Sequence, residues 1–266
     1  MYLTKAMVTQ VETVARDCFT LCLKQEQIAT VSQPGQFVHV RLSQGISPLL
    51  RRPFSIAEAN PQQGTFRLLI NAVGEGTRYL QGLKQGHLLD CLGPLGSGFA
   101  PGSPPYALVA GGIGAAPLVF LAQALALKNL PVLFYYGTAS AEERLPLHRW
   151  LPGSVKQVDV TEDGSAGRKG WVTEALQRDV QEGKLPGGIF ACGPVPMFRE
   201  LVRLNSSWGI PMQVSLEERM ACGTGACQGC AVEIEQESEI DFLRVCREGP
   251  VFDARKVVGL RDSANS

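Results

Sequence analysis

Residues 106–117 read Tyr106-Ala-Leu-Val-Ala-Gly-Gly-Ile-Gly-Ala-Ala-Pro117, and this stretch decides the fold. Five apolar residues make a continuous buried strand, glycines turn the chain, and Leu118 to Leu127 reads as a covered helix. Glycines at a strand-to-helix turn let a dinucleotide phosphate approach the helix N-terminus, where free N–H groups favour an anion. So apolar a run can also suggest a membrane span, but Gly111, Gly112, Gly114 and Pro117 interrupt it. Apolar strands follow at Val132 to Tyr136, Val155 to Val160 and Gly188 to Ala191, with a helix over Thr173 to Gln181. Strands alternating with helices predict a doubly wound parallel α/β sheet over residues 102–211.

Upstream, the signal changes to period two. Val38, Val40 and Leu42 alternate with His39 and Arg41, and Thr65 to Ala72 follows the turn Asn60-Pro-Gln-Gln-Gly64. This density of strands predicts an antiparallel β-barrel over residues 1–101, closed off by the linker Gly102-Ser-Pro-Pro105. Gly74-Glu-Gly-Thr77 follows the strand Leu68-Leu-Ile-Asn71. The backbone N–H groups of Gly76 and Thr77, opening a helix at Arg78, suit a pyrophosphate, and they equally suit a plain helix cap.

Downstream, Met220-Ala-Cys-Gly-Thr-Gly-Ala-Cys-Gln-Gly-Cys230 and Arg244-Val-Cys-Arg247 set Cys222, Cys227, Cys230 and Cys246 in the spacing C-x4-C-x2-C-x15-C. The C-x4-C-x2-C run is that of a plant-type [2Fe–2S] site. Glycines 223, 225 and 229 let the loop wrap a compact cluster. A structural zinc site usually takes paired C-x2-C knuckles, and a disulfide framework needs an export signal, of which the N-terminus shows none. Residues 212–266 therefore read as a small metal-stapled module. Within it, Val232, Ile234, Ile240 and Phe242 alternate with acids, which predicts a hairpin with one apolar and one acidic face, turning near Gln236 to Ser238. A one-electron cluster cannot take a hydride from a nicotinamide directly, so the chain needs a flavin to split the electron pair.

The bulk composition excludes other classes. Among 266 residues, 25 basic and 25 acidic side chains cancel, which points to neither nucleic acid nor an anionic membrane. Eight cysteines, four of them given to a cluster, fit a reducing cytoplasm. Cys18, Cys22 and Cys91 read as core. His39, His87 and His148 form no metal or triad arrangement. No residue stands out as a catalytic acid or base.

Arg51-Arg-Pro-Phe-Ser-Ile56 resembles the flavin motif Arg-x-Tyr-Ser of the ferredoxin–NADP reductase superfamily. The resemblance implies that Arg52 meets the FAD pyrophosphate, that Phe54 beside Pro53 covers the isoalloxazine, and that Ser55 approaches its reactive nitrogen. It implies further FAD contacts at Leu69, Ile70, Asn71, Gly76 and Thr77, although Ile70-Asn71 departs from the usual Tyr-Arg. It also implies that Gly112, Gly114 and Pro117, in the pattern Gly-x-Gly-x-x-Pro, bind NAD together with Cys192, Gly193 and Pro194 of a Cys-Gly-Pro motif. Cys192 equally suits a small buried position.

With Glu162-Asp-Gly-Ser165, Lys169-Gly-Trp-Val-Thr173 and the cysteine segment, nearly the whole chain resembles the electron-transfer subunits of class 1B dihydroorotate dehydrogenase. That resemblance implies an FMN-containing catalytic subunit as partner, in a heterotetramer of two of each chain. Electrons would pass from the FMN through [2Fe–2S] and FAD to NAD+. The alternative is a related reductase subunit serving a hydrogenase or a sulfide- or ferredoxin-linked oxidoreductase. A cluster-based sensor without flavin is a third class. NAD is expected over NADP, because Tyr135 to Ser140 carries no Arg or Lys and Glu142 and Glu143 follow. Arg144 is the one nearby cation able to oppose that choice.

Overall fold

The computed structural model describes residues 1–42 and 49–261. Its first part is a closed six-stranded antiparallel barrel. The strands are β1 (Tyr2–Ala15), β2 (Cys18–Lys24), β3 (Phe37–Val40), β4 (Arg52–Asn60), β5 (Thr65–Asn71) and β6 (Leu88–Leu95), in the order β1-β2-β5-β4-β3-β6. Alternation fills the barrel with Leu21, Leu23, Val38, Val40, Ile56 and Leu68, all fully buried. Helix α1 (Glu26–Val31) lies between β2 and β3. Helix α2 (Glu75–Gln81) follows β5, and it starts three residues before the expected onset at Arg78. Gly76 and Thr77 therefore sit inside its first turn.

The second part is a seven-stranded sheet. Its strands are β7 (Tyr106–Gly111), β8 (Val132–Thr138), β9 (Lys156–Thr161), β10 (Arg168–Lys169), β11 (Gly188–Cys192), β12 (Met212–Ser215) and, much later in the chain, β15 (Val251–Asp253). The order is β10-β9-β8-β7-β11-β12-β15. Every pairing is parallel except β12 with β15. Helix α3 (Ala115–Ala126) covers one face and carries Phe120 into the barrel core. Helices α4 (Val172–Gln181) and α5 (Val195–Trp208) cover the other. The apolar run through Leu127 is thus a strand, a turn and a helix of about 18 Å at 1.5 Å per residue, too short for a bilayer. Among the described residues no helix is long and apolar enough to cross a membrane.

The sheet continues past residue 211, where the sequence suggests a change of domain: β12 pairs with β11, and β15 adds an antiparallel edge. Between them lies the cysteine loop and a hairpin of β13 (Ala231–Gln236) and β14 (Glu239–Arg244). Cys230, Ile234, Val245, Cys246 and Phe252 pack into one core with Val214, Leu216 and Ile189 of the sheet and Phe37 and Leu95 of the barrel. A piece this short has little interior of its own and shares one with its neighbours.

The hairpin corrects an expectation. Glu237 and Ser238 both take positive φ, at 48° and 75°, as a two-residue turn requires. That turn pairs Gln236 with Glu239, and hence Glu235 with Ile240 and Glu233 with Phe242. Directly paired residues share a face, so the apolar stripe of β14 lies on the acidic side of β13. Ile240 and Phe242 are 58% and 59% exposed, whereas Ile234 is buried. There is no single apolar face.

Buried Asp179 of α4 links this helix to the sheet. It accepts the Tyr135 hydroxyl at 2.8 Å and Lys184 Nζ at 3.1 Å. Burial opposes its ionisation, but these bonds and the Arg168 charge outweigh that and hold the carboxyl below its ordinary range. A carboxylate depressed in the fold contributes stability above its unfolded pKa, and that contribution disappears as pH falls. Asp179→Ala strands a buried phenol and should cost about 2 kcal/mol, lowering the thermal midpoint at pH 7 by roughly 4–8 °C. Tyr135→Phe leaves Asp179 its lysine and should cost about half as much. An unchanged melting curve for Asp179→Ala would contradict this role.

Candidate functional site

Strand β4 places the flavin-like motif along the barrel edge, opposite β3. Phe37 pairs with Ser55, Val38 with Phe54 and His39 with Pro53. The two neighbouring arginines separate by partner. Arg51 forms an ion pair with Asp90 at 2.8 Å and donates to the Asp90 carbonyl at 3.0 Å. Arg52 is exposed, and its hydrogen bonds run to the backbone carbonyls of Leu50 and Arg51, at 2.9 and 3.2 Å. Its charge is therefore available to an anion.

Arg52, Pro53, Phe54 and Ser55 line a cavity of about 900 Å³, and Leu69, Ile70, Asn71 and Thr77 form its next wall. Leu69 and Ile70 are buried, while Asn71 is exposed at the lip. Thr77 is committed to its helix: its hydroxyl accepts the Gly74 N–H at 3.1 Å and donates to the Gly74 carbonyl at 3.0 Å. Gly76 does not line this cavity. A Cβ there would overlap Leu42, so glycine is needed for packing.

A second cavity of about 610 Å³ opens at the carboxyl ends of the sheet strands, where ligands of α/β sheets bind. Gly111, Gly112, Gly137 and Thr138 line it on the strand side, and Trp171, Pro194 and Met197 on the helix side. Gly112 takes φ +52° and faces open space. Of the other expected nucleotide residues, Pro194 lines the cavity, whereas Gly114, Pro117, Cys192 and Gly193 do not. A Cβ on Gly114 would overlap the Cys192 carbonyl, and one on Gly193 would come within 2.7 Å of Met197. Pro117 is buried in α3. Cys192 lines neither cavity; burial, then the charge of Glu217, push its thiol far up. The turn Gly111–Ala116 separates the cavities: Gly111 and Gly112 face the second, Ile113 and Ala116 the first.

Acids surround the second cavity. Glu143 and Glu162 line it, as do Glu174 and Glu200. Glu142 instead pairs with Arg16 at 3.2 Å, and Asp163 accepts the Ser165 N–H and hydroxyl. Arg144 is tied to Asp159 at 2.6 Å.

The segment Leu216–Met220, between β12 and the cysteine loop, also lines the first cavity. In the sequence Leu216-Glu-Glu-Arg-Met220 belongs to the segment that carries the family resemblance, with no cavity role assigned to it. Apolar surroundings push the Glu217 carboxyl upward. Two residues beyond Met220 lies Cys222, whose sulfur accepts the N–H groups of Thr224 and Cys227, each at 3.4 Å. Burial disfavours its thiolate, but these amides outweigh it and bring Cys222 to about 5. Gly223 and Gly225 take φ +70° and +85°, as so tight a loop requires. Gly229 has ordinary φ, and its position faces the Cys227 sulfur. Arg244 holds the loop by donating to the Gly225 carbonyl at 3.1 Å while gripping Glu248 with two nitrogens.

All eight cysteines are free thiols. Among the described residues no three His, Cys, Asp or Glu side chains gather closely enough for a single metal ion. The donor set is instead four thiols in one module: Cys227 is exposed, Cys222 half-buried, and Cys230 and Cys246 are buried and hydrogen-bonded to each other. Four thiols fit the ligand demand of a [2Fe–2S] cluster. Beside them lies a residue without a role in the sequence reading. His39 is fully buried, and neither ring nitrogen completes a hydrogen bond. Burial, then the Arg51 charge, lower its pKa to about 4.

Comparisons with known proteins agree with this geometry. Residues 5–99 match an oxidoreductase FAD-binding domain, and residues 108–203 an oxidoreductase NAD-binding domain. Residues 217–258 match the iron–sulfur cluster binding domain of dihydroorotate dehydrogenase B. A Desulforamulus reducens protein named dihydroorotate dehydrogenase B (NAD(+)), electron transfer subunit, is 41% identical over 256 residues, covering 95% of this chain and 97% of its own. The Bacillus cereus protein of the same name is 35% identical over 257 residues, with the same coverage. Among solved structures, an NADH-dependent reduced ferredoxin–NADP oxidoreductase aligns over 97% of this chain and 90% of its own, with a TM-score of 0.84 and 28% identity. The ferredoxin reductase of carbazole 1,9a-dioxygenase shares the fold, with a TM-score of 0.69 at 22% identity over 80% of this chain and 68% of its own. The chain belongs to the family of electron-transfer subunits of NAD-dependent dihydroorotate dehydrogenase B.

Proposed function

We propose that this chain carries electrons from a dihydroorotate-oxidising catalytic subunit to NAD+. The observation that carries the reading is the shared wall: one glycine turn separates the two cavities, and the segment lining the first runs on into Cys222. When bound, FAD exchanges a hydride with nicotinamide on one side and single electrons with a [2Fe–2S] cluster on the other. Arg52 presents a planar fork of donors to the pyrophosphate, Phe54 and Pro53 cover the ring, and Ser55 faces its reactive edge. Leu69, Ile70 and Asn71 close the wall, with Gly76 and Thr77 supporting it from the first turn of α2. Gly112 and Pro194 face the nucleotide, while Gly114, Pro117, Cys192 and Gly193 set the thickness of the partition. Cys222, Cys227, Cys230 and Cys246 hold the cluster. No acid or base is required of this chain.

The exposed Cys227 marks the side on which a partner would meet the cluster. The partner is the FMN-containing catalytic subunit, in a heterotetramer of two of each chain, working in the cytoplasm. Four cysteines given to a cluster suit a reducing compartment. The likeness to a ferredoxin–NADP oxidoreductase supports a second reading, service to a ferredoxin-linked partner. At 28% identity it is weaker than the 41% to a dihydroorotate dehydrogenase subunit.

Three experiments test the roles. Cys227→Ser should lose or destabilise the cluster while NADH still reduces bound FAD; retention of two irons and two sulfides per chain would refute the ligand assignment. Arg52→Ala should weaken FAD retention by about tenfold or more, since a charge-assisted fork contributes roughly 1.5–3 kcal/mol. Full flavin content with unchanged affinity would remove Arg52 from the site. NADH should exceed NADPH in kcat/KM for flavin reduction, because Glu143 and Glu162 face the second cavity and Arg144 is held by Asp159. Equal values would contradict the preference and favour the second reading.

A further inference from the structure

His39 is a buried polar side chain that the proposed function leaves unused. It lies on β3, two residues from Phe37, whose ring joins the core shared with Cys230 and Cys246. The outward face of this barrel strand is therefore where the cysteine module docks. On one side of His39 are its cross-strand partner Pro53 and the Arg51 carbonyl, both in the flavin motif. On the other are the Cys222 carbonyl and Gly223. A Cβ at Gly223 would overlap Nδ1, so ring edge and loop backbone are in direct contact. Both carbonyls lie close enough to favour a ring N–H, although neither nitrogen completes a hydrogen bond of good geometry. An imperfectly satisfied buried polar group carries a desolvation cost that an apolar side chain of similar size would avoid. The polar group that the cysteine loop brings to this ring is the Cys222 carbonyl, next to the Cys222 sulfur in the chain.

We propose that His39 is a positioning residue that ties the cluster loop to the flavin-motif strand and points its single ring N–H at the Cys222 end of the [2Fe–2S] centre. Hydrogen bonds and dipoles near the sulfurs help set the reduction potential of such a centre. An N–H directed at the cluster favours the form carrying one more negative charge. One electron enters, one electron leaves, and His39 keeps its proton throughout. The inference rests on Cys222 being a cluster ligand.

The test uses the holoprotein with its FAD and cluster in place. With histidine selectively labelled with 15N, pulsed EPR of the reduced cluster should show a weak histidine nitrogen coupling that is absent in His39→Gln. An EPR-monitored redox titration should show His39→Leu disfavouring cluster reduction by about tenfold, which is ~59 mV for one electron. His39→Gln keeps an N–H donor and should recover most of that shift. A wild-type cluster with two irons, two sulfides and no histidine coupling overturns the inference while leaving the cluster assignment intact. A wild-type chain reconstituted without iron and sulfide overturns both. If His39→Leu cannot assemble a cluster, the wild-type coupling still decides.

Discussion

The structure depends on how closely two backbone turns approach at the carboxyl edge of the sheet. Strands β7 and β11 are hydrogen-bonded neighbours in parallel register, so the loops leaving them meet. At Gly114 there is no room for a Cβ against the Cys192 carbonyl, and at Gly111 one would fall 2.7 Å from Pro194. This crowding makes the partition between the cavities a single turn of chain. Hydride transfer needs reacting atoms about 3–3.5 Å apart, and a partition one turn thick suits that demand. A Cβ at Gly111 or Gly114 would force the two loops apart and thicken the partition.

The cysteine module extends the same economy. It has almost no interior of its own and is sewn to both other parts. Strand β15 joins the sheet edge, Leu216 N–H donates to the Pro250 carbonyl at 2.9 Å, and Ser97 N–H donates to the Gly249 carbonyl at 2.6 Å. The segment running from β12 to Cys222 is thereby fixed along the first cavity. A cluster held on a mobile tether would meet the flavin at variable distance. Here the loop carrying its ligands rests on β3, the strand paired with the flavin motif.

Much of this was legible in the residues. The apolar strand, the glycine turn and the helix at 106–127 lie where periodicity places them, because local chemistry dictates all three. Eight of the nine expected flavin-site residues line one cavity. What failed to show in sequence has identifiable causes. Strands β12 and β15 are four and three residues long, too short to carry a period, and β15 is recruited from a distant segment. The hairpin register follows from a two-residue turn rather than from its apolar pattern, which the turn overrides. Glycines 76 and 114, which signal phosphate approach in sequence, are also required by close contact with Leu42 and Cys192, a constraint that only the tertiary structure reveals. His39 looked like an ordinary polar alternation on a barrel strand. Its burial comes from a module more than 180 residues away in the chain, which no local pattern reports.

The central claim is that nicotinamide and cluster communicate within this one chain. Freeze-quench EPR after anaerobic mixing of the isolated holoprotein with excess NADH tests it most directly. The account predicts that flavin absorbance bleaches and that the signal of a reduced [2Fe–2S] cluster then grows, without any partner subunit. Bleaching of the flavin with a cluster that stays oxidised, though reducible by dithionite, would contradict it.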